Sequence, residues 1–254
     1  MLLSSTIFTY VVYGWIALAI ITFVSLFFVT APFGRHTSSD WGPTINARLG
    51  WVLMELPSPL VLTYFFFTGT TAPNTVTWIF WGLWMSHYFN RSVVYPLRQR
   101  DHEKKMPVMI MGSAIFFNIV NGFLNGYFLG NYGDLYPLSY LSSPAFIIGI
   151  SLFMLGMGIN IQSDNLLLQL RKPGEKGYKI PQGGLFKWIS CPNLFGEILE
   201  WIGYALLLSS LPAVSFALWT FANLAPRALA HHQWYHQKFD DYPKTRKAVL
   251  PFLW

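Results

Sequence analysis

Charge is scarce in these 254 residues: 17 lysines and arginines and 11 aspartates and glutamates make up 11% of the chain. A soluble globular domain carries about 25%, so a water-facing surface over most of this chain is excluded. Cysteine is nearly absent as well. Cys191 alone allows no internal disulfide, and the fold therefore does not depend on an oxidising compartment. The glycine period of collagen, the charged heptads of a coiled coil, the polar composition of a disordered chain, internal repeats and low-complexity segments are missing too. What is present is apolar, with 53% hydrophobic and 18% aromatic residues. The runs Met1–Gly34 and Met106–Gly133 carry no charge, and each exceeds the roughly 20 residues that a membrane helix needs. Met1–Thr30 lacks a basic leading region and stays apolar for longer than a signal peptide does, so it is read as a retained span.

Seven apolar runs are expected to be helical spans, near residues 7–31, 49–68, 76–97, 106–129, 144–163, 194–209 and 212–229. A single helix over 194–229 would be about 54 Å long, against a hydrocarbon core of about 30 Å. Ser209-Ser210-Leu211-Pro212 supplies a break there, because proline cannot continue a helix. The basic residues test the count. They fall into four clusters: Arg35 and Arg48; Arg91 to Lys105; Arg171 to Lys187; and Arg227 to Lys247. The connections near 69–75, 130–143 and 209–212 contain none. Seven spans thus place every basic residue on one side, which the positive-inside rule makes cytoplasmic. The expected architecture is all-α: one seven-helix transmembrane domain over 1–254, N-terminus outside and C-terminus cytoplasmic. A cytoplasmic loop over 164–191 and a cytoplasmic tail over 230–254 complete it.

A few polar residues interrupt the apolar runs. Glu55, Glu197 and Glu200 lie within them, where an ionisable group is costly and faces a cavity or a partner. Helical spacing sorts others into stripes: Asn160 with Asp164, Asn193 with Glu197, and Arg227 with His231 and Tyr235. The third run closes on His87-Tyr88-Phe89-Asn90-Arg91, which puts a phenol and a guanidinium three apart. Amides, carboxylates, arginines and a histidine near the cytoplasmic surface suit phosphate and ribose recognition. The common nucleotide signatures GxGxxG and GxxxxGK[ST] are absent, and Gly156-Met157-Gly158 and Gly122-Phe123-Leu124-Asn125-Gly126 read as helix packing. His231, His232 and His236 have no carboxylate or cysteine to complete a metal set, so no metal site is expected.

The chain contains the blocks WVLMELPSP at 51–59, HYFNRSVVY at 87–95, LGMGINIQSD at 155–164, LRKPGE at 170–175, YKIPQGGLF at 178–186, NLFGEILEWIGYA at 193–205 and HHQWYHQKFDDYPKTRKAVLPFL at 231–253. Taken together and in order, they resemble the steroid 5α-reductases, the 3-oxo-5α-steroid 4-dehydrogenases. The resemblance implies an integral membrane enzyme that reduces the C4–C5 double bond of a 3-oxo-Δ4 steroid with hydride from NADPH. Glu55 and Tyr88 match the pair that hydrogen-bonds the 3-ketone. A protonated Glu55 donating directly and a Tyr88 donating with Glu55 behind it are both consistent with the motifs. Asn160, Asp164, Arg171, Tyr178, Asn193, Glu197, Arg227, His231 and Tyr235 match motif positions associated with NADPH, with Arg35, His36 and Arg91 as further contacts. Trp51 is expected to line the steroid cavity, with Phe117 and Phe221 as additional candidates. The steroid would enter from the bilayer among membrane lipids, and NADPH from the cytoplasm; no nucleic acid is implied. Such an enzyme sits in the endoplasmic reticulum of a eukaryote or the inner membrane of a bacterium. The chain departs from the family pattern at Met54, where members have glutamine, and between Arg98 and Asn118, where an arginine of some members gives way to the Gly112-Ser113 neighbourhood.

Two other readings start from the same residues. A membrane methyltransferase using S-adenosylmethionine would share a tail rich in histidine, tyrosine and arginine. The basic residues between Arg171 and Lys187 favour a multiply phosphorylated ligand over that cofactor, which has no phosphate. A transporter or lipid-binding scaffold without chemistry leaves Glu55 and Tyr88 without a task.

Overall fold

A computed structural model describes residues 3–32, 34–36, 41–170, 175 and 177–253, with Arg35 described by its backbone alone. Among the described residues the regular structure is helical apart from one short antiparallel pairing and an isolated bridge between Ile189 and Lys247. It forms two compact units, Met1–Ala31 with Ile148–Trp254, and Pro32–Ile147.

In the first unit, α1 (Ser5–Ser25) starts where the Ser4 hydroxyl accepts from the Ile7 amide at 3.3 Å. Its buried residues Phe8, Val12, Trp15 and Ala19 recur every three or four positions, so they form one stripe. That stripe meets α9 (Leu211–Lys238): the Trp15 and Trp219 rings lie 4.6 Å apart, and the Trp219 indole donates to the Trp15 carbonyl at 2.9 Å. Helices α7 (Pro144–Gln169) and α8 (Pro192–Leu208) run antiparallel with their backbones in contact. A Cβ on Gly156 would stand 2.5 Å from the Gly196 carbonyl oxygen, and one on Gly203 2.7 Å from that of Gly149. Small residues permit this approach, which replaces the hydrophobic drive that lipid cannot supply. The break between α8 and α9 lies at the expected place: Ser209 takes a left-handed φ of 45°, Ser210 caps α9 and Pro212 occupies its first turn.

Helices continue into both segments expected to be cytoplasmic, 164–191 and 230–254. Helix α7 continues to Gln169, because Leu166-Leu167-Leu168 extends its apolar pattern past Asp164, and α9 runs on to Lys238. Beyond them, the Ser190 amide donates to the Lys247 carbonyl at 2.8 Å and the Cys191 amide to that of Ala248 at 3.1 Å, which ties the tail to the segment before α8.

In the second unit, β1 (Thr44–Asn46) pairs with β2 (Lys105–Pro107), placing the starts of α2 (Ala47–Glu55) and α6 (Val108–Tyr132) beside each other. Helix α3 (Pro57–Thr68) follows α2 after Leu56. The break is dictated by Glu55-Leu56-Pro57-Ser58-Pro59, since neither proline has an N–H for the carbonyl four residues earlier. Helix α6 runs parallel to both. A Cβ on Gly122 would stand 2.7 Å from the Ser58 oxygen and one on Gly126 2.5 Å from the Leu62 oxygen, so this glycine pair is a packing device, as its spacing suggested. Helix α4 (Thr75–Phe89) begins at a capping box between Asn74 and Thr77 and passes through a π-helical turn, Asn90–Val94, into the four-residue α5 (Tyr95–Arg98). Pro96 cannot donate to Ser92, and the wider turn, closed by the Tyr95 amide on the Asn90 carbonyl, accommodates it.

Among the described residues, four helical runs are long and apolar enough to cross a membrane: Ser5–Ser25, Ala47–Thr68, Val108–Leu135 and Pro144–Gln169. Of the other helices at expected spans, α8 has 17 residues, and α4 reaches Arg98 only through the π turn and α5.

Candidate active site

Each unit contains a cluster of sequence-predicted polar residues. In the second unit the α2 and α6 starts are held together by the β1–β2 ladder. Glu55 stands about 12 Å and Asn118 about 15 Å along their helices from those starts at 1.5 Å per residue, so the two reach similar depth. The Asn118 amide nitrogen donates to the Met54 carbonyl at 2.6 Å and to Glu55 Oε2 at 3.2 Å. The Tyr88 phenol donates to Asn118 Oδ1 at 3.0 Å. Tyr88 and Asn118 are buried, and Glu55 is partly buried. Tyr88 is fixed by stacking on Trp84 at 5.3 Å, while its own carbonyl accepts from the Ser92 hydroxyl at 2.6 Å. Trp84 is in turn held by its indole N–H on the Ser58 hydroxyl at 3.2 Å, on the far side of the proline break.

One turn from this cluster, the Arg91 guanidinium lies 4.6 Å over the Trp51 ring and 5.1 Å over the Tyr95 ring. Trp51 is buried with Ala47, Met54 and Met106. Phe117, partly exposed, sits one residue before Asn118 on α6.

In the first unit a polar seam follows the glycine contact of α7 and α8. The Asn160 amide nitrogen donates to the Asn193 carbonyl at 3.0 Å and to Glu197 Oε2 at 3.3 Å. The Asn193 side chain donates to Asp164 Oδ1 at 3.1 Å. The two i, i+4 pairs read from the sequence therefore interlock. Asn160 and Asp164 are buried, while Asn193 and Glu197 are partly so. Glu200 is fully buried at the α7–α8 contact, one turn beyond Glu197.

On α9, Tyr235 stacks on Tyr242 with centroids 5.0 Å apart and planes 7° apart, and Arg227 and His231 are partly buried on the preceding turns. Tyr178 packs its ring edge to face on Trp234 at 4.9 Å. Phe221 packs on Phe23 at 5.7 Å and on the cluster that includes buried Cys191, Leu194 and Ile198. His36 lies in the short turn Gly34–His36, where Arg35 is described by backbone alone; Arg171 lies outside the described residues.

Three contributions were not visible in the sequence. Asn118 belongs to a stretch where the family pattern fails, and nothing in spacing pairs it with residues 54, 55 and 88. Ser190 Oγ lies 2.6 Å from His232 Nδ1 and 2.7 Å from the Tyr242 hydroxyl, which joins α9, the tail and the segment before α8. Burial, then the neighbouring His236 and Lys247, hold the His232 imidazole below its ordinary pKa. Buried Arg246 donates to the Pro181 carbonyl at 3.0 Å and to Gln182 Oε1 at 2.9 Å. It thereby fixes a turn in which Gly183 and Gly184 take φ of 89° and 49°, conformations that favour glycine.

A helical protein with bilayer-length apolar helices, a buried phenol and amide beside a partly buried carboxylate in one unit and a partly buried polar seam in the other has the makings of a membrane enzyme. Comparison with known proteins identifies the family. The profile described as 3-oxo-5-alpha-steroid 4-dehydrogenase matches residues 104–254. The chain is 43% identical to "Steroid 5-alpha-reductase DET2" of Gossypium hirsutum over 99% of both chains, and 44% identical to "3-oxo-5-alpha-steroid 4-dehydrogenase 1" of Bos taurus over 93% of both. It is 42% identical to the Homo sapiens protein of the latter name, over 87% of this chain and 85% of that one. The chain belongs to the 3-oxo-5-alpha-steroid 4-dehydrogenase family of oxidoreductases.

Proposed function

We propose that this protein reduces the C4–C5 double bond of a 3-oxo-Δ4 steroid with NADPH, Glu55 and Tyr88 polarising the 3-ketone. The observation that carries this reading is the cluster of buried Tyr88 and Asn118 with partly buried Glu55, with Oη to Oδ1 at 3.0 Å and Nδ2 to Oε2 at 3.2 Å. Such donors withdraw electron density from an enone oxygen, which makes C5 electrophilic. They also stabilise the enolate oxygen that forms when hydride arrives, once the phenol proton turns from Asn118 Oδ1 to the ketone. C4 then takes a proton, which completes the saturated ketone.

NADPH, when bound, supplies the hydride and leaves as NADP+. The seam of the first unit fits such a cofactor chemically. Asp164 and Glu197 are acceptors for ribose hydroxyls, Asn160 and Asn193 hold them in place, and Arg227 is suited to phosphate. Tyr178, His231, Tyr235, Arg171, Arg35, His36 and Arg91 are proposed as further cofactor contacts, and Trp51, Phe117 and Phe221 as lining for the steroid. In this reading the chain is one domain of seven spans with its C-terminus in the cytoplasm, steroid arriving from the bilayer and NADPH from the cytoplasm.

The test is turnover. Purified protein with NADPH and a panel of 3-oxo-Δ4 steroids should yield 5α-reduced ketones; the absence of product from every member would reject the proposal.

A further inference from the structure

The Asn118 amide is oriented by a group that has no choice of role. A backbone carbonyl only accepts, so the Asn118 atom 2.6 Å from the Met54 oxygen is the amide nitrogen. Its other proton points at Glu55 Oε2 at 3.2 Å, and the amide oxygen is left facing Tyr88 at 3.0 Å. The Tyr88 hydroxyl therefore donates toward Asn118, and an arriving ketone must compete with that oxygen for the phenol proton. The anchor is rigid. Met54 lies three residues before Pro57, in the last turn of α2, and its side chain is buried with Trp51 and Met106. Asn118 itself is 3% exposed, one turn before the close approach of Gly122 to the Ser58 backbone.

We infer that Asn118 is a positioning residue for the reduction: through one amide docked on the Met54 carbonyl, it sets the separation of the Tyr88 phenol from the Glu55 carboxyl and the direction of the phenol proton. The inference rests on the reductase reading of the same cluster. Its consequence is kinetic. Without the amide, phenol and carboxyl can drift, and small displacements at a reacting centre cost on the order of 100-fold in rate. The first unit's polar seam contains no part of this cluster, so NADPH affinity should not follow.

The experiment compares full-length wild-type protein with Asn118→Leu and Asn118→Asp in steroid turnover, NADPH binding and thermal unfolding. Asn118→Leu should lower kcat by roughly 100-fold, with steroid KM and NADPH affinity changed by less than about threefold. Asn118→Asp keeps the oxygen that faces Tyr88 but can donate to Met54 or Glu55 only when protonated. Its kcat should rise as pH falls, in a profile that neither wild type nor Asn118→Leu shows; this holds the test open should the leucine variant fail to fold. Full kcat in Asn118→Leu, or a wild-type pH profile in Asn118→Asp, would overturn the assignment and leave the reductase reading intact. An inactive wild type would instead reject that reading.

Discussion

Asn160 on α7 donates to the Asn193 carbonyl on α8 at 3.0 Å, one helical turn from the point where Gly156 and Gly196 bring the two backbones into contact. The contact and the polar seam are thus one construction. Glycines at 149, 156, 196 and 203 set the helix separation, and the same separation lets Asn160 reach across to Asn193 and Glu197. Packing and the proposed cofactor site should fail together here.

Gly156→Ala is expected to drive a methyl group into the Gly196 carbonyl, 2.5 Å from the position a Cβ would take. Overpacking of this kind costs about 1–3 kcal/mol. Thermal unfolding in detergent should show a lower midpoint, and NADPH affinity should fall with it. Gly158, whose Cβ would meet nothing within 4 Å, should accept alanine without either change.

Asn193→Ala removes the donor that holds Asp164 Oδ1. A buried carboxylate deprived of one hydrogen bond is misplaced for a ribose hydroxyl, and losing about 1.5 kcal/mol corresponds to roughly tenfold weaker binding. Titration with NADPH should show that loss, while kcat at saturating cofactor stays near wild type.

Glu55→Gln and Tyr88→Phe address the chemistry instead. Each should lower turnover by about 100-fold or more, as loss of a preorganised donor to a developing oxyanion does. NADPH binding should change by less than about threefold in both, since neither residue belongs to the α7–α8 seam. Full turnover in either variant would remove that residue from the proposed mechanism.

His232 gives a pH dependence of stability with a defined sign. Its folded pKa is lowered below the ordinary 6.5 by burial, then by His236 and Lys247. The unfolded chain therefore binds the proton more readily, and stability is present above about pH 6.5 and lost as pH falls below it. The melting temperature should drop between pH 7.5 and pH 5.5, and His232→Gln should flatten that slope. The expected failure is local, because His232 bonds Ser190 and through it the Tyr242 hydroxyl of the tail.

Much of this organisation could be read from particular residues. Ser209 to Pro212 marked the boundary of α8 and α9, and the i, i+4 spacing of Asn160 with Asp164 and Asn193 with Glu197 gave both halves of the seam. Helix α7 runs into the loop expected from charge, because leucines such as Leu166 and Leu168 are still partly buried, and α9 runs past the seventh apolar run as the spacing of Arg227, His231 and Tyr235 implied. The π turn at Asn90–Val94 could not be read from periodicity, since Arg91 was placed by an ideal helix that Pro96 prevents. Asn118 was hidden for a different reason. Its partners lie 30, 63 and 64 positions away in sequence; the β1–β2 pairing, three residues long on each strand, sets α2 beside α6, and the Trp84–Ser58 bond holds α4 to α3.

The most direct measurement uses NADPH carrying deuterium at the transferred position of the nicotinamide ring, with purified protein and a panel of 3-oxo-Δ4 steroids. The expected product is the 5α-ketone with one deuterium, located at C5 by mass and magnetic resonance. Absence of reduced product across the panel, or deuterium at C4 rather than C5, would contradict hydride delivery to an enone polarised at its oxygen by Glu55 and Tyr88.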